Sequence, residues 1–488
     1  MDLSFLIQLV GALVAFIIVN WVYFKVLKIA KDKGLVDNPD ARKLQQTPIP
    51  VMGGIAVFLG VVAGVLASHG VAGLLGYAHD TCLVPIICAL VVMLYIGAID
   101  DIEGLTPISR LVIEVLTMLG LIYSTGMCFD DFQGLWGVGH FSWWIAVPFT
   151  VFTGVGVINA VNMIDGVNGL SSGLCIVCSL AFGIVFLNME DYENATLAFT
   201  TTAALVPFLM HNVFGKRSRM FIGDAGTMVM GILLMWFAMC LINHKEFSSV
   251  EGKEINLIAL AIAIMSVPMV DTLRVMTMRM IKGKSPFSPD KTHLHHVFIQ
   301  VGISHSITAF TEIMIAVTIM GIWLISVVLE VGIDLQLYLV LGAAFCLVCG
   351  TYAFLYYHVK NHTHLLHHLS HFSIKTHLGH THWWLRFQEW LDSPEPQEQA
   401  VSEIAKIKME HLARKFEHID TNNFKEVDRK KVYDFMKGKA EVFVDDIQKR
   451  SGAEAMRVYP IIFEGEQEGL ITVITRDSWG APVIVSLE

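Results

Sequence analysis

The chain has 488 residues, of which 54% are hydrophobic and only 16% charged, and its mean hydropathy is +0.58. This is the composition of a membrane protein and excludes an ordinary water-soluble globular protein. The net charge of −10 does not identify a partner, because the distribution of charge matters more than its sum. The eight cysteines fall in or beside apolar runs, which favours packing over a disulfide framework or a metal site.

Eleven apolar runs are long enough to cross a bilayer, for which a helix needs about 20 mainly apolar residues. We predict an all-α polytopic membrane domain over 1–357, a His/Trp-rich segment and linker over 358–398, and a small α+β domain over 399–488. The first run lacks a basic leader and continues into Lys25 and Lys28, so it is predicted to be a span. The predicted spans are 3–24, 51–68, 82–99, 108–127, 142–161, 169–187, 196–213, 225–243, 255–276, 306–329 and 335–357.

The loops on one side of this predicted bundle carry most of the basic residues, whereas the opposite loops hold only Lys245 and Lys253. The positive-inside rule therefore predicts that the basic side faces the cytoplasm, with the N-terminus outside and the C-terminal tail inside. The acidic and histidine motifs described next all fall on this basic side. The basic loops are 25–50, 100–107, 162–168, 214–224 and 277–305.

The first basic loop reads D-N-P-D-A-R-K-L-Q-Q-T-P-I-P-V-M-G-G and leads into the second span. Gly53 and Gly54 at a helix N-terminus allow backbone N–H groups to approach an anion. Arg42 and Lys43 are suited to phosphate or lipid head groups. A positive-inside loop with a turn explains the same residues equally well.

Two adjacent carboxylates, Asp100 and Asp101, end the third span in the segment G-A-I-D-D-I-E-G-L-T-P. Such neighbours repel each other unless a cation or a proton lies between them. Hard cations such as Mg²⁺ take carboxylate oxygens and keep phosphate as a further ligand. The pair therefore predicts a metal–phosphate site or a general base, and a solvated loop start is the alternative.

An amide-rich stretch, N-A-V-N-M-I-D-G-V-N-G, lies between two spans. Asn159, Asn162 and Asp165 recur every three residues, so they share one face of a helix end. Gly166 and Gly169 then allow the backbone to turn. An ionisable residue at membrane depth is by default a functional-site hypothesis, and a plain polar turn is the alternative.

Asp224 lies between two glycines in F-I-G-D-A-G-T, at the start of another span. A carboxylate in this position serves either as a helix N-cap or as a metal ligand. Asp271, near the inner end of its span, is predicted to pair with Arg274.

The last basic loop, K-G-K-S-P-F-S-P-D-K-T-H-L-H-H-V-F, contains three closely spaced histidines. His293 and His296 lie three residues apart, so a helical turn presents them together. We assign His293, His295 and His296, with Lys291, to phosphate or nucleotide binding. Zinc is the alternative ligand, but the oxygen-rich acids elsewhere favour Mg²⁺.

The tail changes character after the last span. Nine histidines over 358–382 and the nearby Trp383, Trp384 and Trp390 predict an interfacial segment with aromatic anchors; a metal-binding tract is the alternative. Two helices are predicted over 399–449. Alternating residues predict strands at Val458–Phe463, Gly469–Thr475 and Val483–Leu487.

Five motifs occur in the order found in the polyprenyl-phosphate N-acetylhexosamine-1-phosphate transferases, which the chain resembles over roughly residues 1–357. They are R-K…P-I-P-V-M-G-G, D-D-I-E-G-L-T-P, N-A-V-N-M-I-D-G-V-N-G-L, F-I-G-D-A-G and D-K-T-H-L-H-H. The resemblance implies transfer of a sugar 1-phosphate from a UDP-N-acetylhexosamine to undecaprenyl phosphate, with release of UMP. It implies the first membrane step of surface or cell-wall polysaccharide synthesis.

The same resemblance implies Mg²⁺, with Mn²⁺ as the alternative ion, and a cytoplasmic site in the bacterial plasma membrane. The lipid bilayer is an expected partner, nucleic acid is not, and a homodimer is compatible with the family. Asp224 is the implied metal ligand, and Asp100 and Asp101 are the implied catalytic pair, with Asp100 preferred for deprotonating or orienting the lipid phosphate. The residues implied to bind substrate are Lys43, Asn162, Asp165, His293, His295 and His296.

The chain also departs from the family pattern. Gln45 stands where relatives often carry His, and Asn168 stands where many carry a second Asp. The last motif lacks the H-H-H-x-E form of the peptidoglycan branch, so UDP-GlcNAc is favoured over the substrate of a phospho-MurNAc-pentapeptide transferase. A secondary transporter is the alternative from another class, but its polar groups would lie near the midplane of several spans.

Overall fold

A computed structural model describes the chain in two compact units, Met1–Leu391 and Asp392–Glu488, which are taken separately below. The described residues are 3–37, 48–76, 83–250, 253–286, 291–361, 382–392, 422–437, 439, 442–453, 455–467, 470–476 and 482–487.

In its described residues the first unit is helical, with strands of two residues in its loops. Ten of its described helices are long and apolar enough to cross a membrane, or eleven spans if a bent pair counts as one. This confirms the predicted polytopic membrane fold, and each of the eleven predicted spans overlaps one observed span. The helices are α1 (Leu3–Lys33), α2 (Gly53–Leu74), α3 (Val84–Glu103), α4 (Pro107–Thr125), α5 (Trp143–Met163), α6 (Leu170–Asn188), α7 (Tyr192–Phe214), α8 (Gly223–Asn243), α9 (Leu257–Ile264), α10 (Ser266–Ile281), α11 (Leu294–Gln300), α12 (His305–Val328), α13 (Ile333–Ala344), α14 (Gly350–Lys360) and α15 (His382–Asp392).

Short strands close two of the loops. They are β1 (Val36–Asp37), β2 (Ile49–Pro50), β3 (Ser249–Val250) and β4 (Lys253–Glu254). The first pair and the second pair are each antiparallel.

The ninth span is broken, because α9 and α10 meet at Met265 with a bend of 78°. Pro268 lies in the first turn of α10, where its missing N–H leaves no helical hydrogen bond unmade. The proline is therefore tolerated beside the bend, and α10 runs in a different direction from α9.

Helix α8 lies at the centre of the unit, since the whole of its apolar segment is buried among the other helices. Two glycines allow its first turn to be approached closely. A Cβ added at Gly54 of α2 would lie 2.2 Å from the backbone N of Gly226, and one at Gly97 of α3 would lie 2.4 Å from the Cα of Ala225. These backbone contacts bring α2 and α3 to the end of α8 that carries Asp224.

Gly97→Ala is expected to separate α3 from α8, because the atoms in the way are backbone and cannot rotate aside. Overpacking of this kind costs roughly 1–3 kcal/mol of folding free energy. A lower melting temperature by differential scanning fluorimetry is the expected result. Gly120→Ala is the matched control, since a Cβ there meets nothing within 4 Å; equal melting temperatures for the two variants would contradict the close-packing argument.

The expectation that Gly53 and Gly54 leave N–H groups free for an anion is wrong. Gly53 N donates to the Phe221 carbonyl at 2.9 Å and Gly54 N donates to the Ile222 carbonyl at 2.8 Å. The two glycines instead join the start of α2 to the segment that leads into α8.

At the opposite end of α7 and α8 lies a half-buried acid–histidine pair. His244 Nε2 is 2.9 Å from Asp191 Oδ2, and its Nδ1 is 2.9 Å from Glu246 Oε1. Asp191 also accepts from the backbone N of Asn194 and so caps α7. The hydrogen bond to Asp191, supported by Glu246, raises the pKa of His244 to about 9.

This pair predicts a pH-dependent stability. Because the folded pKa of His244 lies above its ordinary value of 6.5, its contribution is fully present below about pH 6.5 and is lost as the pH rises through 9. Between pH 7 and pH 10 the wild-type melting temperature is expected to fall a few degrees more than that of His244→Gln. Parallel curves for the two proteins would contradict the assignment.

The second unit is a small α+β domain, as predicted. Its described elements are α16 (Asn422–Met436), β5 (Val442–Phe443), α17 (Val444–Arg450), α18 (Ala455–Gln467), β6 (Ile471–Arg476) and β7 (Pro482–Leu487). The strands form one antiparallel sheet in the order β5-β7-β6.

The prediction of a strand at Val458–Phe463 is wrong, because these residues belong to helix α18. Val458, Ile461 and Ile462 are all buried, which is the i, i+3, i+4 spacing of a helix face. The strands predicted at Gly469–Thr475 and Val483–Leu487 correspond to β6 and β7. The first helix predicted for this domain, the linker and most of the histidine-rich segment lie outside the described residues.

Candidate active site at the ends of the spans

Asp224, in the first turn of α8, lies among polar side chains from three other helices. Its Oδ1 accepts a hydrogen bond from Nδ2 of Asn162 at the end of α5, and the same amide donates to Thr227 Oγ1 at 2.8 Å. The Oδ2 atom accepts no hydrogen bond from any described residue, and the side chain is 33% exposed. Asp224 therefore presents one carboxylate oxygen to a ligand.

The two acids at the end of α3 have different surroundings. Asp101 accepts from the backbone N of Asp224 at 2.8 Å and of Ala225 at 3.1 Å. It thus caps the N-terminus of α8, where a carboxylate is favoured by the unpaired N–H groups. Asp100 accepts instead from Leu105 N at 2.6 Å. The sequence allowed Asp224 to be the N-cap of α8, but in the structure Asp101 caps this helix.

Arg110 of α4 joins the acids, although it lies outside the five sequence motifs. Its Nη1 is 3.3 Å from Asp100 Oδ2 and 3.7 Å from Asp224 Oδ1, and its Nε donates to Glu114 Oε1 at 3.1 Å. The buried Nη2 has no hydrogen-bond partner among the described residues. Glu114 is fully buried and accepts from Asn159 Nδ2 at 2.6 Å. The available signal was two charges, four residues apart, inside an apolar span.

Asp165 follows α5 and turns toward α6, where it accepts from Ser171 Oγ. Burial is the main reason that its pKa rises to about 6, and the charges of Asp224 and Asp37 add to the effect. Asn159, Asn162 and Asp165 thus reach Glu114, Asp224 and Ser171 respectively, so the shared face predicted from their spacing serves three separate contacts.

The turn after Asp165 is held from α7. The Oδ1 of Asn212 accepts from Gly169 N at 2.7 Å, while its Nδ2 donates to the Met220 carbonyl at 2.9 Å. One amide side chain therefore ties the Asn159–Gly169 stretch to the segment before Asp224. Gly169 has a φ of +79°, which favours glycine at this position.

The histidine motif is organised by Asp271 of α10. His293 Nδ1 is 2.8 Å from Asp271 Oδ2, and Arg274 Nη2 donates to Asp271 Oδ1 at 2.6 Å. This confirms the predicted Asp271–Arg274 pair. The ring of His293 stacks on that of His295, with centroids 5.7 Å apart, and His296 lies 4.4 Å from His295.

His295 is buried against the Asn159–Gly169 stretch. A Cβ added at Gly166 would lie 2.6 Å from its Nε2, so only glycine permits this contact. Neither ring nitrogen of His295 has a hydrogen-bond partner among the described residues. Desolvation and the neighbouring His296 and His293 lower its pKa well below the ordinary value, so the ring is neutral at pH 7.

The structure thus joins the predicted site residues into two sets of contacts. Asp100, Asp101, Asn162 and Asp224 are linked through hydrogen bonds and Arg110, and the histidines reach Gly166, beside Asp165. Lys43 lies outside the described residues. No group of three or more His, Cys, Asp or Glu side chains with a metal-binding arrangement occurs in the part of the chain that the structure describes.

Comparison with known proteins identifies relatives of this chain. The family model described as glycosyl transferase family 4 matches residues 83–242. The undecaprenyl-phosphate alpha-N-acetylglucosaminyl 1-phosphate transferase of Escherichia coli (strain K12) is 32% identical over 304 residues, which cover 60% of this chain and 77% of the relative. The protein of the same name from Salmonella typhi is 30% identical over 306 residues, covering 61% and 78%.

A mycobacterial relative is similar to this chain over a comparable length. The decaprenyl-phosphate N-acetylglucosaminephosphotransferase of Mycobacterium tuberculosis (strain CDC 1551 / Oshkosh) is 31% identical over 315 residues, covering 61% of this chain and 77% of the relative. The spans and the buried polar site at their ends define a polytopic membrane enzyme, a phosphosugar transferase. The chain belongs to glycosyl transferase family 4.

Proposed function

We propose that the chain transfers N-acetylglucosamine 1-phosphate from UDP-N-acetylglucosamine to undecaprenyl phosphate and releases UMP. The names of the relatives support the sugar and the lipid. The observation that carries the proposal is the meeting of Asp100 and Asp224 at the guanidinium of Arg110, with Asp101 bound to the backbone of Asp224, at the ends of three spans. A site at the end of spans is reached both by a nucleotide in water and by a phosphate carried on a lipid.

The reaction exchanges one phosphorus–oxygen bond for another. An oxygen of the lipid phosphate attacks the β-phosphorus of the UDP-sugar, and the bond from that phosphorus to the bridging oxygen of the α-phosphate breaks. UMP leaves with the bridging oxygen. Because two anionic groups must approach, the site has to offset their repulsion. Arg110, whose Nη2 is unpaired among the described residues, is placed to do so beside Asp100.

Each acid is given a role that its contacts support. Asp100 borders Arg110 and orients or deprotonates the incoming lipid phosphate. Asp101 is bound to the first N–H groups of α8, so it positions Asp224. By the family resemblance, Asn162 and Asp165 line the nucleotide side of the site. His293, His295 and His296 bind the diphosphate or the sugar, and Lys43 binds an anionic group of the substrate.

Mg²⁺ is proposed as the metal, with Asp224 as its protein ligand. The fit rests on the open Oδ2 of Asp224, a carboxylate oxygen of the kind that Mg²⁺ prefers. Mg²⁺ is commonly held by one or two carboxylates together with water and substrate phosphates, so a larger protein cage is not needed. When bound, the ion would offset negative charge on the diphosphate.

We further propose that the site faces the bacterial cytoplasm, where UDP-sugars are made, with the N-terminus outside. The distribution of Lys and Arg among the loops supports this orientation. Service in surface or cell-wall polysaccharide synthesis, a homodimer and activity with Mn²⁺ remain predictions from the family resemblance.

UMP release by purified protein in detergent tests the proposed function. Release is expected only when undecaprenyl phosphate, UDP-N-acetylglucosamine and Mg²⁺ are all present. If UMP is released with another UDP-N-acetylhexosamine but not with UDP-N-acetylglucosamine, the proposed reaction stands and the sugar it transfers is a different one. A folded protein that releases no UMP from any nucleotide sugar would exclude the transferase and favour a transporter.

A further inference from the structure

Asp271 is a buried acid whose contacts all converge on the start of the histidine motif. It is 1% exposed, and its Oδ2 lies 2.8 Å from Nδ1 of His293. Both its oxygens also lie 3.2 Å from the backbone N of Leu294, the first residue of α11. A carboxylate only accepts hydrogen bonds, so the Nδ1 of His293 carries a proton and donates it.

The opposite edge of the His293 ring is available to a ligand. Its Nε2 makes no hydrogen bond to any described residue, although the ring is fixed on its other edge by Asp271. The ring also stacks on His295, which in turn contacts Gly166, next to Asp165. His293 is thus held in one orientation beside the polar stretch that contributes to the site.

Arg274 anchors the acid and the backbone together. Its Nη2 donates to Asp271 Oδ1 at 2.6 Å and to the Thr292 carbonyl at 2.6 Å. The guanidinium lies 3.6 Å from the ring centroid of Tyr352 of α14. Asp271 therefore has a fixed geometry, which an isolated buried carboxylate would lack.

We propose that Asp271 is a positioning residue for the transfer reaction: it holds His293 with Nδ1 protonated, so that Nε2 accepts a hydrogen bond from a hydroxyl group of the nucleotide sugar. This inference rests on the proposed function and adds to it a residue outside the five sequence motifs. Partners that orient a ligating histidine typically change activity by about 10- to 100-fold when mutated.

The test compares Asp271→Asn with the wild type in the UMP-release assay. Asparagine keeps an oxygen for Leu294 N but offers an N–H to His293, which reverses the direction of that hydrogen bond. We expect kcat/KM for UDP-N-acetylglucosamine to fall about 10- to 100-fold. In a His293→Gln background the same change is expected to cost less than about threefold, because the two residues act as one unit.

Asp191→Asn is the matched control. Asp191 also pairs with a histidine and caps a helix, but it lies at the other end of α7 from Asn212. It is expected to lower the melting temperature and leave kcat/KM unchanged. Loss of activity in both variants in proportion to lost stability would overturn the positioning role.

Two further results would overturn the proposal: wild-type kcat/KM in Asp271→Asn, or an undiminished effect of that change when His293 is already glutamine. A ¹⁵N NMR measurement on wild-type protein covers the case of a variant that fails to fold. The His293 signal, assigned by its absence in His293→Gln, is expected to show a protonated Nδ1, and an unprotonated Nδ1 would refute the pairing. A wild type without UMP release would instead refute the proposed function and leave this NMR result standing.

Discussion

Asp224→Asn is expected to reduce UMP release by about 10²–10³-fold, the loss typical of removing one group that stabilises developing charge. The amide has nearly the same shape as the carboxylate and keeps an oxygen for the contact with Asn162. What it lacks is the negative charge on the oxygen that no described residue engages. The expected result is therefore a loss of turnover with a melting temperature within a few degrees of the wild type.

The variant should also respond differently to Mg²⁺. If Asp224 is the ligand, the concentration of Mg²⁺ that gives half-maximal release is expected to rise in Asp224→Asn. Asp130→Asn is the matched control, because Asp130 is similarly exposed, at 37%, and also lies near a cation, Lys245. Turnover within tenfold of the wild type, at an unchanged Mg²⁺ requirement, would rule out Asp224 as the metal ligand.

The spans could be read from the sequence because the bilayer imposes a minimum apolar length. The 78° break at Met265 was not predicted, since an average of hydropathy over a window does not record direction. Pro268 was the available signal, as a proline favours the first turn of a new helix. In the second unit, Val458–Phe463 alternates like a strand, but Val458, Ile461 and Ile462 bury a helical face.

The site was predictable where several polar residues cluster in one loop, as for Asp100 with Asp101. It was missed where charged side chains inside a span complete the arrangement, as for Arg110 and Glu114, because their spacing marks the helix and not their partners. Asn159 lies 45 residues along the chain from its partner Glu114, and Asp224 lies still further along the chain from Arg110. Sequence spacing identifies neighbours on one helix, whereas these contacts depend on how α4, α5 and α8 pack together.

Arg110→Gln is expected to have the second large effect, on stability as well as on turnover. The guanidinium is 16% exposed and serves three acids, of which Glu114 is fully buried. Removing one partner of a buried ion pair costs about 3–5 kcal/mol, because the remaining charge is left uncompensated. Both the melting temperature and the rate of UMP release should therefore fall.

A second substitution separates the two effects. In Arg110→Gln combined with Glu114→Gln, the buried acid is removed along with its cation, so much of the lost thermal stability should return. Turnover should not return, because Asp100 and Asp224 still lack the cation beside them. Arg450→Gln, which removes an exposed partner of Asp446, is the control and should change neither property. If the double variant regained turnover along with stability, Arg110 would be a structural counter-charge for Glu114 and its phosphate-binding role would be refuted.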